Sequence, residues 1–143
     1  GAPAYLGTAF DVGARRPLIA NAAGTALLAA LPRDEARSIV ARLLQPAEVP
    51  DAAQRAALRR LWQRSAAAGY GVNLGITARG VNAVAVAVRD AAGEPFASLA
   101  IAGPAAQLPV ARVADAVAML RREGAAVARI AHRVLPEGLY AGR

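Results

Sequence analysis

From residue 81 the chain reads VNAVAVAV, and this alternation constrains the fold more than any other feature. Successive side chains of a strand point to opposite faces. Val84, Val86 and Val88 therefore share one face, and Ala83, Ala85 and Ala87 share the other. One side of the strand is bulky and the other is nearly bare. Asp90-Ala-Ala-Gly93 is a turn signal. Residues 96–101 then return with Phe96, Ser98, Ala100 and Ala102 on one face and Ala97, Leu99 and Ile101 on the other. The pattern predicts a β-hairpin with a connection of about four or five residues. Gly103–Pro104 ends the returning strand, and residues 71–74 suggest a short third one.

The rest of the chain carries helical spacing. A strand is expected at residues 5–10, with a loop through Gly13 and Arg15–Arg16–Pro17. Residues 22–31 read as a helix with Asn21 as N-cap and Pro32 as its stop. A second helix covers residues 33–44, where Ile39, Val40, Leu43 and Leu44 recur at helical spacing, and Pro46 lies past its end. Pro50–Asp51 opens a third, with Leu58, Leu61, Trp62 and Ser65–Ala66 on one face and Gly69 at its end. The last helix is predicted over residues 110–134, with Val113, Val117, Leu120, Val127, Ile130 and Val134 as its buried stripe. Gly124 inside it marks a close contact or a bend, and residues 136–143 are expected to fray. Helices around an antiparallel sheet make an α+β domain.

Composition narrows the function. The 143 residues suit one domain, and 56% are hydrophobic, many of them alanine, so the core should be small-residue and close-packed. Net charge is +7, carried by 17 basic residues that are all Arg. They are scattered, with only Arg15–Arg16, Arg59–Arg60 and Arg121–Arg122 adjacent, so solvated helix faces explain them better than a DNA patch. There is no cysteine and a single histidine, His132. Thiolate chemistry is excluded, a multi-His metal site is excluded, and no cofactor is implied. Ser38, Ser65 and Ser98 have no base at motif spacing and no G-x-S-x-G occurs, so an enzyme is not expected. The longest apolar stretch is broken by Asn21, Gly24 and Pro32, and no signal peptide is visible, so a soluble cytoplasmic domain without membrane contact is the default.

One stretch raises a question of chemistry. NAAGTALLAALP, residues 21–32, starts a helix on Ala22, Ala23 and Gly24. Glycine there costs the helix about 1 kcal/mol against alanine. Either a neighbouring element packs closely on this turn, or a ligand reaches its free N–H groups.

Three segments together resemble a known family: VGARRPLIANAAGTALLAALP, then GYGVNLGITARGVNAVAVAVRDAAGEPFASLAIAGP, then the long helix that follows. Their order and spacing are similar to the effector-binding domain of IclR-type bacterial transcriptional regulators. The pattern is G-x-R-x-P-L, a T/S-A-x-G-x-A-L-L-A helix, two more helices, G-Y, a mid-strand Gly, a D-x-x-G hairpin and S-G-P. The likeness covers about nine-tenths of the chain. It implies a GAF-like antiparallel sheet flanked by helices, one effector-binding domain over residues 1–143 that is N-terminally incomplete. It implies a small-molecule effector, self-association as dimer or tetramer, and DNA contact only through an attached winged helix-turn-helix absent from this chain. The first helix and strands of the sensor domain are also expected to precede this segment, which would leave an exposed sheet edge.

The resemblance places the ligand at the bare helix start, with the backbone N–H groups of Ala22 and Ala23 receiving a carboxylate. The other family positions are Asn73, often Asp, and Ala83, Ala100 and Ala102, which are polar in members that bind small keto acids. Without those hydroxyl and thiol partners a compact anion would be poorly satisfied. A larger, more apolar acid is therefore expected, an aromatic one for example. The alternative is a vestigial pocket on an oligomerisation module. Trp62 and Tyr70 read as core or as a cap on the cavity, Asn82 as a turn residue or pocket mouth, Arg79 as a solvated loop charge, and His132, Asp90 and Glu94 as structural or solvent-facing.

Overall fold

A computed structural model describes residues 12–134. The strand expected at residues 5–10 and the tail at 136–143 lie outside the described residues. Within them are a three-stranded antiparallel sheet and four α-helices: α1 (Ala22–Ala30), α2 (Arg33–Leu43), α3 (Ala52–Ala68), β1 (Gly71–Leu74), β2 (Val81–Arg89), β3 (Pro95–Pro104) and α4 (Val113–Val134). The architecture is α+β, as the change of period predicts. Helix boundaries agree with the sequence reading to within a residue except at the start of α4, where residues Val110–Arg112 form a 3-10 turn first.

Local chemistry explains where each element stops. The Asn21 side chain accepts from the Gly24 N–H at 2.7 Å and caps α1. The Asp51 side chain accepts from the Ala53 N–H at 3.0 Å and caps α3. At the hairpin, the Asp90 carboxylate accepts from the N–H groups of Ala92 and Glu94, both at 2.9 Å. Gly93 takes the left-handed conformation at φ 82° that the reversal needs. Arg89 donates to the carbonyls of Gly93 and Ala30, tying the turn to the carbonyl end of α1, where a cation complements the helix dipole.

The order is β1-β2-β3, so the alternating strand is central. Its valine face meets α4: Val84 and Val86 are buried with Val72, Leu108, Val113, Val117 and Leu120. Gly124 faces Val88, but a Cβ there would lie 3.7 Å from a methyl of Val88, an ordinary van der Waals distance, so the packing leaves room for alanine. Asn82 donates from its amide to the Leu108 carbonyl at 2.9 Å, fixing the loop before α4 rather than lining a pocket mouth. The alanine face meets α1: Ala85 is buried with Ala22 and Ala26. A separate cluster of Ile19, Leu28, Val40, Leu44 and Leu58 joins the three N-terminal helices, with Trp62 packed against it.

The stripe predicted for the last helix needs one correction. Val113, Val117, Leu120 and Gly124 are buried, but Ile130 and Val134 are 60% and 72% exposed. The helix outruns the three strands, so its last two turns have no described sheet beneath them. Ala66, expected on the buried face of α3, is also exposed, whereas Ser65 beside it is fully buried.

Candidate functional site

The register of the sheet gathers the candidate residues onto one surface. Asn73 pairs with Ala83, and Ala83 pairs with Ala102, so the three form a row across β1, β2 and β3. The next row is Gly71, Ala85 and Ala100. Directly paired residues in antiparallel strands project to the same face. This is the face that carries α1, because Ala83 and Ala85 pack with Ala22 and Ala23. Ala22, Ala23, Asn73, Ala83, Ala100 and Ala102 therefore share one face, although they come from four elements. Ala85 is covered by α1, Ala83 is half-buried, and Ala100 and Ala102 are exposed. The uncovered part is a floor of methyl groups beside the first turn of α1.

Two glycines explain how closely that turn approaches. A Cβ on Gly71 would lie 1.8 Å from the Ala22 carbonyl oxygen, and one on Gly24 would lie 2.0 Å from the Leu18 carbonyl oxygen. Neither distance admits a side chain. For Gly24 the question raised by the sequence is thereby answered: the backbone of the preceding 3-10 turn, Leu18–Ala20, occupies the space. Ala22 and Ala23 differ. Among the described residues no acceptor takes their N–H groups, since the Asn21 cap serves Gly24 and the Asn21 carbonyl serves Thr25. The start of α1 thus retains donors and the positive end of its dipole.

A buried polar chain fixes this turn against the sheet. The Val72 N–H donates to Ser65 Oγ at 3.1 Å, and Ser65 Oγ donates to Thr25 Oγ1 at 3.0 Å. Thr25 Oγ1 lies 3.1 Å and 3.2 Å from the carbonyl oxygens of Asn21 and Ala22, its acceptors. Each hydroxyl donates once and accepts at least once, so the chain from β1 through α3 to α1 is satisfied throughout. Ser65 and Thr25 are both fully buried. Sequence reasoning missed this link. Its signal was a Ser and a Thr set into apolar helical stripes.

Asn73 is partly spent. Its Oδ1 accepts from the Ile76 N–H at 3.0 Å and its Nδ2 donates to Thr77 Oγ1 at 2.6 Å, shaping the loop between β1 and β2. One amide hydrogen remains. Neither aromatic side chain covers the alanine face. Trp62 sits in the helical cluster, and Tyr70 packs toward α4, where the Arg121 guanidinium lies 5.9 Å from its ring centroid. Arg79 and His132 are exposed. Among the described residues no group of three or more His, Cys, Asp or Glu could hold a metal ion, and no helix is long and apolar enough to cross a membrane.

The family described as "Bacterial transcriptional regulator IclR C-terminal" matches residues 3–129. The HTH-type transcriptional repressor AllR of Klebsiella pneumoniae is 34% identical over 98 residues, which span 68% of this chain and 36% of AllR. A solved structure of the transcriptional regulator RHA06195 from Rhodococcus sp. RHA1 superposes with a TM-score of 0.70 at 26% identity, over 89% of this chain and 52% of that one. The inducer-binding domain of PobR from Acinetobacter, a double mutant in complex with 3-hydroxybenzoic acid, superposes with a TM-score of 0.59 at 22% identity, over 82% of this chain and 68% of that one. The chain thus spans about a third of AllR and half of the Rhodococcus protein. The proteins that it matches are transcriptional regulators, not enzymes.

Proposed function

The chain belongs to the IclR family of bacterial transcriptional regulators as a C-terminal effector-binding domain, and we propose that its effector is an apolar carboxylic acid, such as an aromatic one, held on the alanine face. The observation that carries this reading is the single surface on which the open α1 terminus and the methyl floor meet. The carboxylate accepts from the N–H groups of Ala22 and Ala23. The apolar body lies on Ala83, Ala100 and Ala102, and the spare Asn73 hydrogen meets a substituent. Ala83, Ala100 and Ala102 carry no hydroxyl, and that of Ser98 lies in the row beyond Ala100, so a compact keto acid on these alanines leaves more of its polar surface unpaired than an aromatic acid does. PobR, of the same fold, is a precedent for a hydroxylated aromatic acid in such a domain.

The effector controls DNA binding by a winged helix-turn-helix elsewhere in the protein. It does so by favouring one arrangement of a dimer or tetramer over another, which requires different affinities for the two. A thermal-shift comparison of benzoate and 3-hydroxybenzoate with pyruvate and glyoxylate tests the reading. A ligand that binds only the folded state raises its melting temperature. The aromatic acids should shift it and the keto acids should not; tighter binding of a keto acid would sink the apolar floor.

The second reading is an oligomerisation module with a vestigial pocket. The exposed apolar end of α4, at Ile130 and Val134, favours it. It predicts concentration-dependent association with no thermal shift from any acid.

A further inference from the structure

A groove of about 890 Å³ lies between α1, α2 and α3, lined by residues that the alanine face does not use. Its floor includes Leu31, Val40 and Trp62, and its rim carries Arg33, Arg37 and Arg59. These three arginines are exposed, and none has a side-chain hydrogen bond or ion pair among the described residues. Arg33 and Arg37 are one helical turn apart on α2, while Arg59 belongs to α3. Two walls of unpaired cations thus flank an apolar floor.

We propose that this groove docks an acidic amphipathic helix of a partner protein. The number of charges selects the class of occupant. A small monocarboxylate satisfies one arginine, whereas three cations on two walls suit carboxylates repeated along an extended partner. Nucleic acid supplies repeated anions but no apolar side chain for Leu31, Val40 and Trp62. A helix with apolar residues at i, i+3, i+4 and i+7 and Glu on its flanks supplies both. At 1.5 Å per residue, the 11 residues of α2 span roughly 16 Å, which matches about three turns of a docked helix.

Trp62 is the only tryptophan of the chain, so its emission reports the groove without a label. The test titrates the full chain with a 14-residue amphipathic peptide free of Trp, Leu on one face and Glu on the flanks. A second peptide carries Lys at every Glu position. The acidic peptide should shift Trp62 emission saturably and bind about tenfold or more tighter than the basic one. Added salt should weaken it. The triple variant R33E/R37E/R59E should reverse the preference. Those side chains have no partners to lose among the described residues, and the single variants R37E and R59E, each expected to weaken the acidic peptide severalfold, keep the test decisive if the triple variant does not fold. Equal binding of both peptides, undiminished binding to the variants, or displacement of the peptide by a DNA duplex would each overturn the proposal.

Discussion

The two faces of β2 are built from the same nine residues and have opposite fates. Val84, Val86 and Val88 are buried where α4 lies along the sheet. On the other face Ala83 and Ala85 meet α1, which covers Ala85 but leaves Ala83 half-buried and Ala102 beside it exposed. Valine fills the gap between sheet and helix. Alanine lets α1 come down to backbone contact at Gly71 and leaves the remaining area open. The bulky face is closed by α4, and the bare face is the one on which we propose that the effector sits.

Substitutions sharpen this contrast. The largest effect is expected at the contact of α1 with β1. Gly71→Ala places a Cβ 1.8 Å from a carbonyl oxygen, so α1 must move. A loss of roughly 3 kcal/mol or more is expected, above the usual range for overpacking because backbone and not a flexible side chain is displaced. Denaturant melts measure it. Val84→Ala on the closed face should cost about 2 kcal/mol through lost burial and a cavity, with ligand affinity little changed. Ser65→Ala strands the buried Val72 N–H and should cost about 1–3 kcal/mol. It also frees the first turn of α1, so aromatic-acid affinity should fall beyond what stability explains, whereas Ser65→Thr retains part of both. The smallest effect on folding is expected at the exposed floor. Ala102→Leu should change stability by no more than about 0.5 kcal/mol, yet obstruct the ligand and abolish its thermal shift. A destabilisation by Ala102→Leu as large as that of Val84→Ala would break the comparison.

What was legible in the sequence follows the range of the forces involved. The hairpin, the Asn21 cap, the opening of α3 at Pro50–Asp51 and its end at Gly69 rest on residues within a few positions of each other, and there the sequence and the structure agree. Strict alternation separates the two faces of β2, whereas the grouping of Ala83 with Ala100 and Ala102 comes from the family resemblance, and the register of β2 against β3 puts them on one face. Contacts made only by the tertiary fold were not. The Ser65–Thr25 hydrogen bond joins residues forty positions apart. The Leu18 carbonyl that excludes a side chain from Gly24 depends on how the 3-10 turn folds back. The apolar spacing of α4 does not tell how far the sheet beneath it extends, so it predicts Ile130 and Val134 in the core, where the structure leaves them exposed. The groove at Trp62 is likewise a product of how three helices diverge.

The most direct test of the alanine face is a titration of isotopically labelled protein with 3-hydroxybenzoate, followed by amide and methyl NMR. The account predicts that the Ala22 and Ala23 amides and the Ala83, Ala100 and Ala102 methyls shift together at one saturation point, while the Trp62 indole stays still. Saturation that moves the Trp62 indole and leaves those alanines unperturbed would contradict it, placing the acid in the helical groove.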